Sequence, residues 1–459
     1  MQKKALLSEN AANQIRIPRL AVHGSNGQDR ASGRGGGTSM DATERAARIV
    51  RTVIEALKPG FAVRLWTGER IGPAGGPVLA INDQDIVWQL ARRPNFSTLL
   101  EMWISRTIDV ENGSLFDLYA LPSQGKLRLK ALPKLAILRD LPAVLFSRRQ
   151  MTKRSDLAGR NPFVSGSNKQ AIEHHYDISN AFYRLFLDER MVYTCAYFTD
   201  FANGIDQAQK DKLDHICRKL RLKPGDRLLD IGCGWGAMLI HAAKHYGAIG
   251  HGVSLSQEQT LLARERIRAE GLEDKIIIDI KSYTDLDGSY DKISSIGMFE
   301  AVGLANHATY FSTVHRLLKP GGIYLHHAIT RRGKGGTRKT LRKGAEYRAL
   351  IKYIFPGGEV DTIGMTTGNL EAHGFLVADV ENLREHYART CRLWAERLHA
   401  RFDEAIAEVG EPKARLWLLY LTGCSITFDR GSAQIFQTVA TKRARGPSGL
   451  PPTRADLYR

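Results

Sequence analysis

The chain has 459 residues, 43% hydrophobic and 25% charged, which is room for two or three domains of ordinary globular composition. No run reaches the ~18 apolar residues of a membrane span, and the N-terminus lacks the apolar core of a secretory signal. The formal charge of +18 suits nucleic acid or an anionic membrane surface, and five scattered cysteines (Cys195, Cys217, Cys233, Cys391, Cys424) point to free thiols in a reducing cytoplasm.

In chain order, residues 1–40 are rich in Gly, Ser, Asn and Arg and read as a disordered segment. Met40 stands directly before the first expected helix, 41–50, and is a second candidate start. Phe61-Ala62-Val63-Arg64-Leu65-Trp66 and a Thr67-Gly68 turn predict a hairpin. A strand over 78–81 and a helix over 83–93 complete a small α+β domain placed at 41–122. Residues 123–167 are basic and broken by Pro133, Pro142, Gly159, Pro162 and Gly166, the pattern of a linker. From Lys223-Pro224-Gly225 onward strands (248–254, 275–280, 292–296) alternate with helices (257–270, 309–318). Lys319-Pro320-Gly321-Gly322 is expected to stop the second helix before a strand over 323–328. Residues 331–365 interrupt the alternation where a lid over a substrate belongs, and strands 375–380 and 435–440 flank one amphipathic helix over 385–408. The alternation predicts an α/β fold with a doubly wound parallel sheet over 168–445, leaving 446–459 as a tail.

The chemistry begins at Arg227-Leu228-Leu229-Asp230-Ile231-Gly232-Cys233-Gly234-Trp235-Gly236, a strand, a glycine turn and the start of a helix. Such a turn brings a nucleotide-like ligand against bare backbone, because glycine tolerates positive φ and the helix start leaves N–H groups free. Asp230 suits a polar ligand that carries a cation or several donors. The spacing Gly232-x-Gly234-x-Gly236 is tighter than that of dinucleotide binders and resembles motif I of the S-adenosylmethionine (SAM)-dependent methyltransferases. Downstream, Gly252-Val253-Ser254-Leu255-Ser256-Gln257-Glu258-Gln259 places Ser254 where most such enzymes carry a ribose-holding acid. With Tyr193-Thr194-Cys195-Ala196-Tyr197-Phe198, Ser294-Ser295-Ile296-Gly297-Met298-Phe299-Glu300-Ala301-Val302-Gly303 and Tyr353-Ile354-Phe355-Pro356-Gly357-Gly358, the chain closely resembles the cyclopropane-fatty-acyl-phospholipid synthases and mycolic acid cyclopropane synthases over residues 170–445.

That resemblance implies a class I SAM-methyltransferase sheet with a helical lid insertion and a small N-terminal α+β domain. Its SAM contacts fall on Tyr193, Thr194, Leu228, Asp230, Gly232, Gly234, Trp235, Gly236, Ser254, Leu255, Gln259, Ser282 and Tyr283, the last against the adenine. It also implies a bicarbonate ion held by Cys195, Glu300, His327 and Tyr387, with backbone near Ile296 or Ile329, and it places Cys424 at a further family cysteine. No metal is expected. The reaction fits these residue types. A cis alkene is a weak nucleophile and needs the sulfonium held at attack distance. The resulting carbocation calls for aromatic faces, with Tyr193, Tyr197, Phe299 and Tyr353 as candidates. A base must then take a proton from the new methyl so that the ring closes.

The residues also have plainer readings. Cys195, Tyr387 and Cys424 suit core positions, whereas Glu300 in an apolar run would be costly without a function. Alternation sends His326 and His327 to opposite faces of one strand, and only the motif selects His327. Ala301 stands where many family members carry His, which leaves a methyl-branched or methylated unsaturated acyl chain as an alternative product. The alternative of another class is a non-catalytic SAM- or RNA-binding protein. No zinc-finger spacing, RNP-like aromatic motif or zipper supports nucleic acid, so the expected partners are unsaturated phospholipid acyl chains and an anionic membrane surface. Basic clusters in 126–160 and 331–343 fit peripheral association from the cytoplasm, each Lys or Arg near the surface contributing about 1 kcal/mol. The region 41–150 resembles the N-terminal part of longer bacterial cyclopropane synthases, with substrate presentation or a homodimer as its expected role.

Overall fold

The computed structural model describes residues 42–120, 137, 139–142, 144, 178–333, 358–446 and 448–457. The segment 1–40, nearly all of the basic linker, Tyr353 and most of the lid insertion lie outside them.

Helix α1 (Ala42–Leu57) puts Ala46, Ala47 and Ile49 into a small core. Strands β1 (Ala62–Arg64) and β2 (Arg70–Ile71) form the hairpin, and β1 pairs in parallel with β3 (Val78–Ile81). After α2 (Asp85–Arg92), helix α3 (Phe96–Ile104) starts at an Asn95 cap whose side chain accepts from Thr98 N. Strand β4 (Ile108–Glu111) completes a sheet of order β2-β1-β3-β4, and α4 (Leu115–Ala120) follows.

The main sheet has order β10-β11-β9-β8-β5-β6-β7. Its strands are β5 (Arg227–Ile231), β6 (Ile249–Ser254), β7 (Ile276–Ile280), β8 (Tyr290–Ile296), β9 (Leu318–Arg331), β10 (Phe375–Asn382) and β11 (Ala433–Lys442). Helices α5 (Asn180–Tyr183) and α6 (Ile205–Leu220) precede it, and α7 (Ala237–Tyr246), α8 (Gln257–Ala269), α9 (His307–Leu317) and α10 (Ile363–Ala372) connect its strands. β7, β6, β5, β8 and β9 are mutually parallel, and β11 runs antiparallel to both neighbours. The order turns back between β5 and β8, and a parallel sheet opens its binding crevice at such a point, outside the carboxyl ends of the strands.

Two expectations are corrected. The Pro320-Gly321-Gly322 stretch ends α9 but does not delay the next strand: Leu318 already pairs with Tyr290, the register slips, and pairing resumes at Ile323 with Lys292. The single helix over 385–408 is two, α11 (Arg384–Ala400) and α12 (Phe402–Val409), separated at Arg401. A further long helix, α13 (Glu411–Asp429), follows with Pro412 in its first turn and packs against α11. These helices, inserted between β10 and β11, share a core with residues 182–198 and with Trp103 and Phe116 of the N-terminal unit.

Candidate active site

The glycine turn lies between β5 and α7, at the point where the strand order reverses. Gly232 has φ +79°, and a Cβ there would meet Met298 at 2.8 Å. Gly234, at φ +54°, would project a Cβ into open space. Helix α7 begins without a side-chain cap, so its first N–H groups are available to a ligand. Asp230 sits inside β5, buried, accepting from Ser294 Oγ at 2.7 Å; burial pushes its carboxyl up to about 6. Leu228 is core. Trp235 packs its ring 5.1 Å from Tyr183 and donates from Nε1 to Asn180 Oδ1 at 2.7 Å.

At the neighbouring tip, Ser254 Oγ donates to Gln259 Oε1 at 3.4 Å and accepts from Ser256 N at 3.2 Å, so a short hydroxyl organises this turn in place of an acid. Leu255 beside it is half-buried. Ser282 caps a short turn by accepting from Thr284 N, and Tyr283 stands half-buried, edge-on to Tyr310 at 5.3 Å. Thr194 accepts at Oγ1 from Lys212 Nζ at 3.1 Å. Bare glycine backbone with open space at Gly234, on a chain that also places short hydroxyl and amide side chains at the neighbouring strand tip, fits an adenosine-bearing cofactor.

The proposed reaction residues come from four places. Tyr193 and Cys195 follow α5, Tyr387 is on α11 and Cys424 on α13, and all pack in or against one aromatic core. Tyr193 lies 5.2 Å from Trp394, with its hydroxyl 3.5 Å from that of Tyr420. Tyr387 lies 4.5 Å from Phe428, and burial raises its hydroxyl well above the ordinary phenol range. Burial likewise raises the Cys195 thiol, which donates to the carbonyls of Ala196 and Leu383, and pushes Cys424 up to about 12. Both sulfurs therefore carry their protons at neutral pH and are not thiolate nucleophiles.

Glu300 sits in a short turn after β8 and folds back onto β9, where Oε1 accepts from Ile329 N at 2.5 Å. Burial outweighs that bond and raises the carboxyl to about 7. Ile329 packs against the aromatic core that includes Cys195 and against which Tyr387 also packs. His327 shares the Ile329 face of β9 and is fully buried; Nδ1 meets Gln437 Nε2 at 3.2 Å, and Nε2 has no hydrogen-bond partner among the described residues. His326 lies on the opposite face, between Tyr324 and Phe299. The orphaned His327 nitrogen and a Glu300 carboxyl that can hold a proton each suit contact with a small oxyanion, whereas the Cys195 thiol is engaged with backbone carbonyls.

Two of the aromatic candidates for the cation do not present a face to it. Phe299 is enclosed by His307, Tyr310, Phe311 and His326 at 4.4–5.5 Å, in a buried core separate from the one that holds Tyr193. Tyr197 stacks on His215 at 4.1 Å and on His386 at 4.8 Å. Tyr193 keeps that role open. Sequence reasoning missed Lys212, His215 and Lys219, which project from α6 into the interior. Their signal was present: Gln209, Lys212, His215 and Lys219 recur at the spacing of an apolar helix stripe.

A family model described as mycolic acid cyclopropane synthetase matches residues 165–438. A Pseudomonas putida protein named probable fatty acid methyltransferase is 38% identical over 419 residues, covering 88% of this chain and 98% of its own. The cyclopropane-fatty-acyl-phospholipid synthase of Escherichia coli is 38% identical over 289 residues, 62% of this chain and 72% of its own. Among solved structures, mycolic acid cyclopropane synthase CmaA1 complexed with SAH and CTAB matches at 34% identity and TM-score 0.56, over 61% of this chain and 99% of that one.

Proposed function

We propose, for a SAM-dependent methyltransferase that belongs to the mycolic acid cyclopropane synthetase family, methylene transfer to the cis double bond of an unsaturated phospholipid acyl chain, giving a cyclopropane fatty acid. The observation that supports the reading is Glu300, a buried carboxyl bonded to Ile329 N on the strand that also carries the buried His327, while Ile329 packs against the aromatic core that holds Cys195 and Tyr387.

Bound SAM supplies an electrophilic methyl group. The glycine turn would hold it with Ser254, Gln259 and Tyr283 lining the nucleoside side. Tyr193 and the rings around it would exclude water from the alkyl cation, which water would otherwise trap as an alcohol. A bicarbonate-sized oxyanion would supply a base too weak in nucleophilicity to capture the cation. His327 Nε2 and the Tyr387 hydroxyl would donate hydrogen bonds to it, and Glu300 would orient its O–H.

The second reading, a methyl-branched or methylated unsaturated chain, is favoured by the name of the Pseudomonas putida relative and by Ala301, where the commoner residue is His. Incubation of the protein with SAM and vesicles of monounsaturated phospholipid, followed by lipid mass spectrometry and proton NMR, separates the readings. The cyclopropane reading requires a gain of one CH2 with loss of the double bond and upfield ring-methylene protons. Absence of any mass gain across several lipid classes would overturn both.

A further inference from the structure

The residues beneath His327 settle which of its nitrogens carries the proton. Glu381, Gln437 and His327 stand in one row across three strands: Glu381 pairs with Gln437 on β11, and Gln437 pairs with His327 on β9. Lys219 of α6 lies against that row, fully buried, donating to Gln437 Oε1 at 2.8 Å and to Glu381 Oε2. Glu381 Oε2 also receives His215 Nε2 at 3.0 Å. Burial alone would raise the Glu381 carboxyl, but the His215 bond and the Lys219 charge outweigh it and hold it down to about 2. The carboxylate is therefore an acceptor only; burial lowers the Lys219 pKa, and the Glu381 charge and hydrogen bond oppose that shift and favour the ammonium.

A chain of donors follows. An ammonium has three donors and no acceptor, so the Gln437 atom facing Lys219 must be the carbonyl oxygen. The other end of that amide is then NH2, which can only donate, and it faces His327 Nδ1 at 3.2 Å. Nδ1 must offer its lone pair. Burial and the nearby Lys212 and Lys219 charges push the imidazole well below its usual range, so the ring is neutral and carries one proton. That proton is on Nε2, the nitrogen with no partner among the described residues.

We infer that Glu381, Lys219 and Gln437 form a positioning relay that locks His327 as the Nε2–H tautomer, making it a fixed hydrogen-bond donor to an oxygen acceptor in the site and not a proton acceptor. This rests on the proposed role of His327 in the reaction, but the tautomer itself does not.

The experiment is long-range 1H–15N correlation on full-length protein labelled at histidine nitrogens, with the His327 signals identified by their loss in His327→Gln. The expected pattern at neutral pH is a pyrrole-like Nε2 and a pyridine-like Nδ1. A protonated Nδ1, or an imidazolium, overturns the relay. Gln437→Glu places an acceptor beside Nδ1, and the proton is expected to move there. Product formation should then fall at least about tenfold in kcat with the KM for SAM unchanged, the outcome when a tautomer is set wrongly. A proton that stays on Nε2 in this variant contradicts the relay. Should the wild-type tautomer be as expected and His327→Gln retain full activity, the relay stands and the catalytic reading of His327 fails.

Discussion

Burial raises the Glu300 carboxyl from 4.5 to about 7, so near neutrality it is divided between acid and carboxylate. The native state then holds more protons than the unfolded chain between those values, and stability falls as pH rises through that window. Glu300→Gln removes this slope while Asp230 and Asp361, both pushed up to about 6, retain theirs. Denaturant unfolding at a series of pH values should show the variant losing less stability than the wild type from pH 5 to pH 7. The same variant should bind SAM normally and form product about 100-fold more slowly or worse. Two glycines offer a contrasting pair. Gly234→Leu sends its side chain into the open space over the glycine turn and should abolish SAM binding measured by calorimetry. Its cost in stability is the left-handed backbone alone, about 1 kcal/mol. Gly232→Leu meets Met298 as well and should lower the melting temperature further. Equal losses of stability in the two would contradict this placement.

At the scale of elements, the strand–glycine–helix unit and the strands that follow were legible because hydrophobic runs and turn residues lie next to each other in sequence. Helix α13 was not, since Pro412 near its start and mixed polarity along it hide a helix that tertiary packing maintains. Alternation separated His326 from His327 correctly, but nothing local could say what each face packs against: the His327 face carries Ile329 toward the aromatic core, and the His326 face meets Phe299. The relay residues were illegible for a related reason, because Glu381, Gln437 and Lys219 lie far apart in sequence and meet only through strand register. Arg415 of α13 shows how one helix ties the N-terminal unit to the sheet domain. It donates to the carbonyls of Trp103 and Ile108 and to Asp109, lies 4.1 Å from the Trp103 ring, and receives Trp103 Nε1 on its own carbonyl. Only 3% of it is exposed. Arg415→Ala removes these buried donors and the ring contact, although Asp109 keeps Arg106 and Val110 N, and should cost about 2 kcal/mol of stability by denaturant titration. A cost within 0.5 kcal/mol, the range of an ordinary surface substitution, would contradict the docking described here.

For the whole molecule, no helix among the described residues is long and apolar enough to cross a membrane, yet the proposed substrate resides in one. The charge of +18 offers an electrostatic route to the surface. Flotation should show the protein with anionic vesicles at low salt, little of it with zwitterionic ones, and release as ionic strength rises; equal binding to both would remove charge as the basis. The fold places a glycine turn at the reversal of strand order, and Glu300 bonds to Ile329, which packs against the aromatic core that holds Tyr387. The claim that these act as one site for ring formation is tested most directly with SAM deuterated in its methyl group and a cis-monounsaturated phospholipid. Product lipid should carry two deuterium atoms per added carbon, because closing the ring expels one as a deuteron. Retention of all three, or no label in the lipid at all, would contradict the account.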